Sequence, residues 1–434
     1  MSDGIRSREG GRSFVMVMTS AAIVAALAIN VLTLLPEKRY IRIPGFLSGP
    51  VEGGDNSDSG GMVFGGDEVG APIPYVPMFR GNFLHTGFYE GPTIAPPSEV
   101  FWKRKIGGPL YSSPLVREGL VYFGSADGNI YAVDGRTGDE LWRFQTGGKI
   151  FSSPAYGRRM IYIGSSDSIL YAISIKKGDE SFRFETKDCI TSSPALYGGS
   201  LFFGSWDGNL YAVNEKKAEK RWSFKTGGWI LSSPAVGLGM VYVGSNDDSL
   251  YALSAKSGEL LWRFETGGDV VSSPGIFNGV VYFGSFDGFL YAVDAFKGGL
   301  LWRFRTGGGV TSSPTISGGI LKKAKKGEGG DGSGAMVYFG SLDGNLYALN
   351  AATGEEAWWF TTGGAVVSSP VVLDGAVIFG SDDGHLYTLD SKTGSLLSKL
   401  KVGGAVKASP AVARVDSNST IYFGGGDGFL YAVR

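Results

Sequence analysis

The 434 residues include a single cysteine, Cys189, and only two histidines, His85 and His385. No intrachain disulfide can form, and no cluster of cysteines and histidines is available for zinc. An excess of one charge is missing too, since 40 Lys and Arg stand against 41 Asp and Glu for a formal net of -1. No overall field therefore recruits nucleic acid or an anionic membrane surface. Apart from one N-terminal stretch, no window shows the 3.6-residue hydrophobic period of a helix. Proline numbers 18 and no Gly-X-Y period occurs, which excludes collagen. Disorder throughout is excluded by what is abundant: 43% hydrophobic and 13% aromatic residues are enough to bury a large core. Glycine, with 70 copies, is at roughly twice its usual share, so it must punctuate something folded.

Residues 14–35 carry no charge and only Thr19, Ser20, Asn30 and Thr33 as polar interruptions. A helix of that length, at about 1.5 Å per residue, crosses a bilayer core. The competing reading is a cleaved signal peptide ending at the small-x-small site Ala26-Leu27-Ala28. The apolar run continues through Val31, Leu32, Leu34 and Leu35, which favours a transmembrane signal-anchor over cleavage. Arg6, Arg8 and Arg12 before the span balance Lys38, Arg39 and Arg42 after it, so charge alone leaves orientation tied. The short basic tail 1–13 and large C-terminal part match a signal-anchor that places the domain outside the cytoplasm, on the periplasmic side of an inner membrane. Residues 36–76, rich in Gly, Ser, Asp and Pro, read as a flexible tether, and 77–99 as a lead-in to the compact part.

From residue 100 onward the chain repeats itself. Ser-Ser-Pro begins at Ser112, Ser152, Ser192, Ser232, Ser272, Ser312 and Ser368, with Ala408-Ser409-Pro410 as an eighth copy. A second marker, Gly-Ser-x-Asp-Gly-x-Leu-Tyr-Ala with variations, places Asp127, Asp167, Asp207, Asp247, Asp287, Asp343, Asp383 and Asp427 at one repeat position. A third, Leu-Trp-Arg-Phe-x-Thr-Gly-Gly, aligns Trp102, Trp142, Phe182, Trp222, Trp262, Trp302, Trp358 and Ser398. Each unit reads as four short strands: around Leu115-Val116, Leu120–Gly124, Ile130–Val133 and Glu140–Phe144 in the first, with a tight turn at Asp127-Gly128. Four antiparallel strands per forty residues is the arithmetic of a propeller blade. The chain finishes in the third strand of a unit and the repeat starts at Val100-Phe101-Trp102 in the fourth. The expected fold is therefore an all-β, eight-bladed β-propeller of four-stranded antiparallel blades spanning 100–434. Pairing of 100–106 with the last blade closes it, and the transmembrane helix precedes it.

These markers resemble the repeat of pyrroloquinoline quinone (PQQ)-like propeller proteins, as do the lead-in segments Met78–Asn82 and His85–Gly87. In size and plan the chain is most similar to the BamB-like family of outer-membrane-protein assembly factors, which implies a non-enzymatic scaffold. It departs from that family in having no lipobox Cys. Resemblance to quinoprotein dehydrogenases would imply an adjacent Cys pair, calcium ligands from Glu, Asn and Asp, and long insertions, and the sequence offers none of these. A PQQ-dependent dehydrogenase, or a small-ligand receptor using the central channel, is the alternative reading.

No catalytic, cofactor-binding or metal residue is assigned. An Asp present in every copy serves the turn that every copy must build, and the Ser-Ser-Pro hydroxyls satisfy backbone groups near the channel. Trp102, Trp142, Trp222, Trp262, Trp302 and Trp358 are expected to dock neighbouring blades, with the Phe182 and Ser398 junctions the weakest. Positions that vary between copies are free of the fold's demand. Trp206, Trp229, Phe286, Phe289 and Leu342 lie in loops expected on one face of the third to sixth units, and form the candidate surface for a protein partner. The insertion of roughly Ile320 to Ala335, with Lys322, Lys323, Lys325 and Lys326, is expected on the opposite face as a solvated loop. The propeller is expected to be monomeric, bound to the membrane through residues 14–35, with no nucleic-acid partner.

Overall fold

A computed structural model describes residues 88–89, 96–97, 99–317, 334–373, 375–415 and 418–434. The chain divides after Glu37 into two units, and all described residues belong to the second. The expected membrane span 14–35, the tether 36–76, most of the lead-in 77–99 and nearly all of the lysine-bearing insertion lie outside the described residues. Among the described residues no helix is long and apolar enough to cross a membrane.

Eight antiparallel sheets follow one another along the chain. In the first blade the strands are Leu115–Arg117, Leu120–Gly124, Asn129–Asp134 and Glu140–Gln145, from the channel outward. Sequence pattern explains the order. The second and third strands are nearly continuous runs of large apolar residues, and both faces of each are buried because a neighbouring blade covers either side. The fourth strand alternates half-buried and exposed positions, as an edge strand at the outer rim must. Rings pair between the second and third strands of most blades. Phe123 stacks on Tyr131 with centroids 5.2 Å apart, and the same pair recurs as Phe203–Tyr211 and Phe283–Tyr291. At the end of the second strand stands a glycine, because the next loop plugs in there. A Cβ on Gly124 would lie 2.1 Å from Ile150 Cγ2.

Closure is visible in the eighth blade, where Val100–Lys105 pairs antiparallel with Phe429–Val433. Glu99 and Arg434 exchange backbone hydrogen bonds of 3.3 and 3.2 Å. Two features were not legible in the repeat. Every fourth strand carries a bulge one residue before the docking position: Glu140 faces Val133 and Trp142 faces Ala132, leaving Leu141 extra. The irregularity recurs in all eight blades. It re-aims the following side chain at the next blade. The second feature is a fifth strand. Phe88–Tyr89 runs parallel to Val371–Leu373, the inner strand of the seventh blade.

Candidate functional site

Loops joining one blade to the next and turns joining second to third strands share one face. Ser166 N donates to Lys149 O at 2.9 Å and Trp206 N to Cys189 O at 2.9 Å. The conserved spacing of the turn Asp has a specific geometric meaning. Asp167 Oδ1 accepts from its own turn at Ile169 N, while Oδ2 accepts from Tyr171 Oη at 2.8 Å and from Gly147 N of the preceding loop at 2.7 Å. Lys187 N to Asp207, Gly227 N to Asp247, Gly267 N to Asp287, Gly307 N to Asp343 and Gly363 N to Asp383 repeat the staple. Asp127 and Asp427 keep the Tyr bond within their own blades. Burial disfavours the ionised carboxyls of Asp207 and Asp383. Their donors outweigh it and hold both below the usual carboxylate range. Asp and Gly are both residue types that tolerate the positive φ of a tight turn. In the structure the Gly takes it, as at Gly128 with φ 86°, and the Asp is the acceptor.

The second serine of each Ser-Ser-Pro forms a ring. Ser113 N donates to Ser153 Oγ, Ser153 N to Ser193 Oγ, and so on through Ser233, Ser273, Ser313, Ser369 and Ser409, whose N returns to Ser113 Oγ at 3.0 Å. In the first four blades the first serine accepts from the glycine that ends the second strand, as in Gly124 N to Ser112 Oγ at 3.1 Å, and Ser192, Ser232, Ser272, Ser312 and Ser368 donate to the carbonyl of the equivalent residue in the next blade. Every hydroxyl thus has structural work, and none faces a base.

The six tryptophans each reach the next blade. Trp102, Trp142, Trp222, Trp262, Trp302 and Trp358 donate Nε1–H to the carbonyls of Gly135, Ile175, Ala255, Ala295, Ala351 and Ser391, at 2.9 to 3.2 Å. Each ring lies on a glycine of that loop. A Cβ on Gly178 would be 2.8 Å from the Trp142 ring. Where Phe182 replaces Trp, the loop position that holds Gly at the tryptophan junctions is Ala218, at φ 56°. At Ser398 the next blade has no loop to dock on, because its third and fourth strands come from opposite ends of the ring. Ser398 Oγ donates instead to Pro97 O at 2.6 Å, and its cross-strand neighbour is Thr388 where other blades have the smaller Ala.

On the variable face, Trp206 stacks on Trp229 with centroids 4.9 Å apart and planes 13° apart. Trp206 Nε1 donates to Thr191 Oγ1 at 2.9 Å, and Trp229 remains 43% exposed. Phe286 and Leu342 both lie against Gly309, apart from that pair. Phe289 departs from the expected patch. It lies on the third strand of the fifth blade, against the core around Tyr291, with the Arg303 guanidinium 4.6 Å from its ring. The reason is that its strand position points toward the fourth strand, unlike the turn residue Phe286 three places earlier. Sequence reading also missed the residues preceding each Ser-Ser-Pro. Tyr111, Phe151, Thr191, Leu231 and Val271 are all half-buried, and Tyr111 stacks on Phe151 at 5.6 Å. Through Thr191 this row joins the Trp206–Trp229 pair. Their variation between copies was the available signal.

Beside the two indoles opens a groove of about 430 Å³ lined also by Lys225, Asn246 and Asp269. Burial, then the Asp248 and Asp247 carboxylates, push Asp269 up to about 6. Elsewhere the chemistry is quiet. Cys189 Sγ donates to Ser166 O at 3.2 Å, and burial followed by Asp188 pushes its thiol up to about 11. His385 Nδ1 lies 3.1 Å from Asp383 Oδ1, and His85 lies outside the described residues. Among the described residues no three His, Cys, Asp or Glu side chains are grouped to hold a metal ion. With Cys189 the one cysteine of the sequence, the adjacent Cys pair implied by resemblance to quinoprotein dehydrogenases is not present.

Comparison with known proteins agrees with this architecture. The family model for the β-propeller domain of glucose, ethanol and alcohol dehydrogenases matches residues 269–369. No curated protein matches the chain in sequence. Among solved structures, BamB from Moraxella catarrhalis superposes with a TM-score of 0.64 at 16% identity, covering 77% of this chain and 99% of that one. The computationally designed protein Ika8 gives 0.64 at 18%, over 77% and 99%. The quinohemoprotein alcohol dehydrogenase of Comamonas testosteroni gives 0.68 at 15%, over 84% and 81%. At such identities these likenesses establish the fold alone. The model described as outer membrane protein assembly factor BamB matches residues 94–182, 181–275 and 321–434, more than half of the chain, and with its PQQ-like blades the chain belongs to that family.

Proposed function

We propose that this protein is a non-catalytic, membrane-anchored scaffold that binds a protein partner in the cell envelope, in outer-membrane or other envelope protein assembly. The propeller stands on the extracytoplasmic side, held by residues 14–35. The observation that carries the reading is the exposed Trp206–Trp229 stack. It sits where the frame leaves residue choice free, and it continues into the half-buried row at the channel mouth. Large amphipathic aromatics with rigid surroundings are the usual anchors of protein interfaces. The polar groups common to all blades, by contrast, are consumed by staples and rings that build the fold.

The test is co-purification from membranes in mild detergent, with partners identified by mass spectrometry. The Trp206→Ala, Trp229→Ala double variant is expected to lose partners that wild type retains, with unchanged melting. Recovery of the same partners by the variant overturns the assignment of this face. The dehydrogenase reading draws on the match over residues 269–369. A rise in melting temperature on adding PQQ with calcium would support it, and no shift is expected.

A further inference from the structure

The groove over the third and fourth blades differs from the remainder of the face in its mixture of chemistries. One wall is the indole stack, with Trp229 the more open ring. Lys225 stands at one side, its Nζ donating to Asp207 O. On the other side Asn246 Nδ2 donates to Asp269 Oδ2 at 2.8 Å. Asn246 Oδ1, although buried, accepts no hydrogen bond among the described residues.

Charge narrows what fits. A cationic ligand would meet the Lys225 ammonium and an anionic one the carboxylates of Asp269 and Asp248, so neither sign is favoured on both sides. A flat apolar ligand would cover the Asp269 carboxyl that lines the groove without pairing it, at a desolvation cost, and would leave the buried Asn246 Oδ1 still without a partner. What remains is a neutral group with one apolar face and hydroxyls around its edge. A pyranose ring has this form, because its axial C–H bonds make a face that lies against an indole while its equatorial hydroxyls both donate and accept. A groove of about 430 Å³ holds one or two such rings and falls within the range of small-ligand sites.

We propose that the groove formed by Trp206, Trp229, Lys225, Asn246 and Asp269 is a binding site for a neutral saccharide, with a pyranose ring stacked on Trp229 and its hydroxyls bonded to Asn246 and Asp269. Burial and the neighbouring carboxylates push the Asp269 carboxyl up to about 6, so at neutral pH it is mainly ionised and accepts hydrogen bonds from ligand hydroxyls. The proposal does not rest on the scaffold reading, since a saccharide site can stand on a protein with or without a docked partner.

The probes are maltotriose and chitotriose, followed by saturation-transfer NMR and calorimetry on the purified propeller. Saturable binding of at least one is expected, weakened at least tenfold (about 1.4 kcal/mol) in both Trp229→Ala and Asn246→Ala, whose melting temperatures should match wild type. An arginine-containing tripeptide serves as the cationic control. No saturation by either saccharide up to about 50 mM, far weaker than a specific site requires, overturns the proposal. So does saccharide binding that survives both substitutions, or tighter binding of the tripeptide than of either sugar. Because no partner is present in this assay, its failure leaves the partner assignment untouched, and loss of partners in the tryptophan double variant leaves the saccharide result untouched.

Discussion

Two turn positions show how strongly local backbone demands shape the repeat. Ser168 and Asp248 occupy the turn site at φ 72° and 62° where other blades have Gly. A side chain in this left-handed region is strained, and Gly relieves it. Ser168→Gly and Asp248→Gly are each expected to stabilise the protein by about 0.5–1 kcal/mol, read from denaturant melts. Asp269 offers a second residue-level test. Its folded pKa of about 6 lies above the ordinary 3.8. Ionisation therefore costs stability: the penalty is absent below pH 3.8, grows through the interval and is complete above pH 6. Asp247, Asp248 and Lys225 are the charged groups around it, and the two carboxylates dominate. In Asp269→Asn the melting temperature relative to wild type should rise between acid and neutral pH. A flat difference would show that burial and its neighbours do not hold this carboxyl up.

Between blades, the unit of stability is a tryptophan, the bulge that aims it, the carbonyl it bonds and the glycine beneath it. Trp262 is 9% exposed and bonds Ala295 O, so Trp262→Ala should cost about 3–5 kcal/mol in thermal or chemical unfolding. The Phe182–Ala218 junction permits a sharper measurement. Phe182→Trp alone should destabilise by about 1–3 kcal/mol, since Ala218 stands where the tryptophan junctions have a Gly whose Cβ would meet the ring. Combined with Ala218→Gly, which also relieves φ 56°, the same change should stabilise. A double-mutant cycle that found the two substitutions additive would refute the coupling. The substitution of Trp by Phe was visible in the repeat, but its compensation was not. The two residues lie 36 apart, and their pairing follows only from the neighbouring blades, where a tryptophan lies on the glycine at the same spacing. The same holds for Ser398, where the absence of Trp reads as decay of the motif until the eighth blade is seen to lack the loop that Trp would dock on.

At the scale of the ring, closure depends on two strands from opposite ends of the repeat. A variant lacking residues up to Lys105 leaves Phe429–Val433 as an open edge. It should lose cooperative unfolding and aggregate, as light scattering would show. A circular permutant joining Arg434 to Glu99, already hydrogen-bonded to each other, and opened within the lysine-bearing insertion should retain the native melting transition. If the permutant fails to fold while the truncated chain remains monomeric and cooperative, strand exchange at the eighth blade is not what holds the ring.

Blade number, strand order, the turn positions and the docking tryptophans were all legible in the sequence by itself. A propeller writes each of these once per forty residues, and eight copies average away accident. Phase alone implied closure, since the first repeat begins where the last leaves off. Only the tertiary structure decided which variable residues meet. Trp206 reaches Trp229 and Thr191, Phe286 and Leu342 both reach Gly309, and Phe289 turns away toward Arg303. The serine ring, the Asp staples, the fifth strand at Phe88–Tyr89 and the groove between two blades belong to the same class. Each is a contact between residues some twenty to three hundred positions apart, and its geometry exists only after the chain has been wound into a circle.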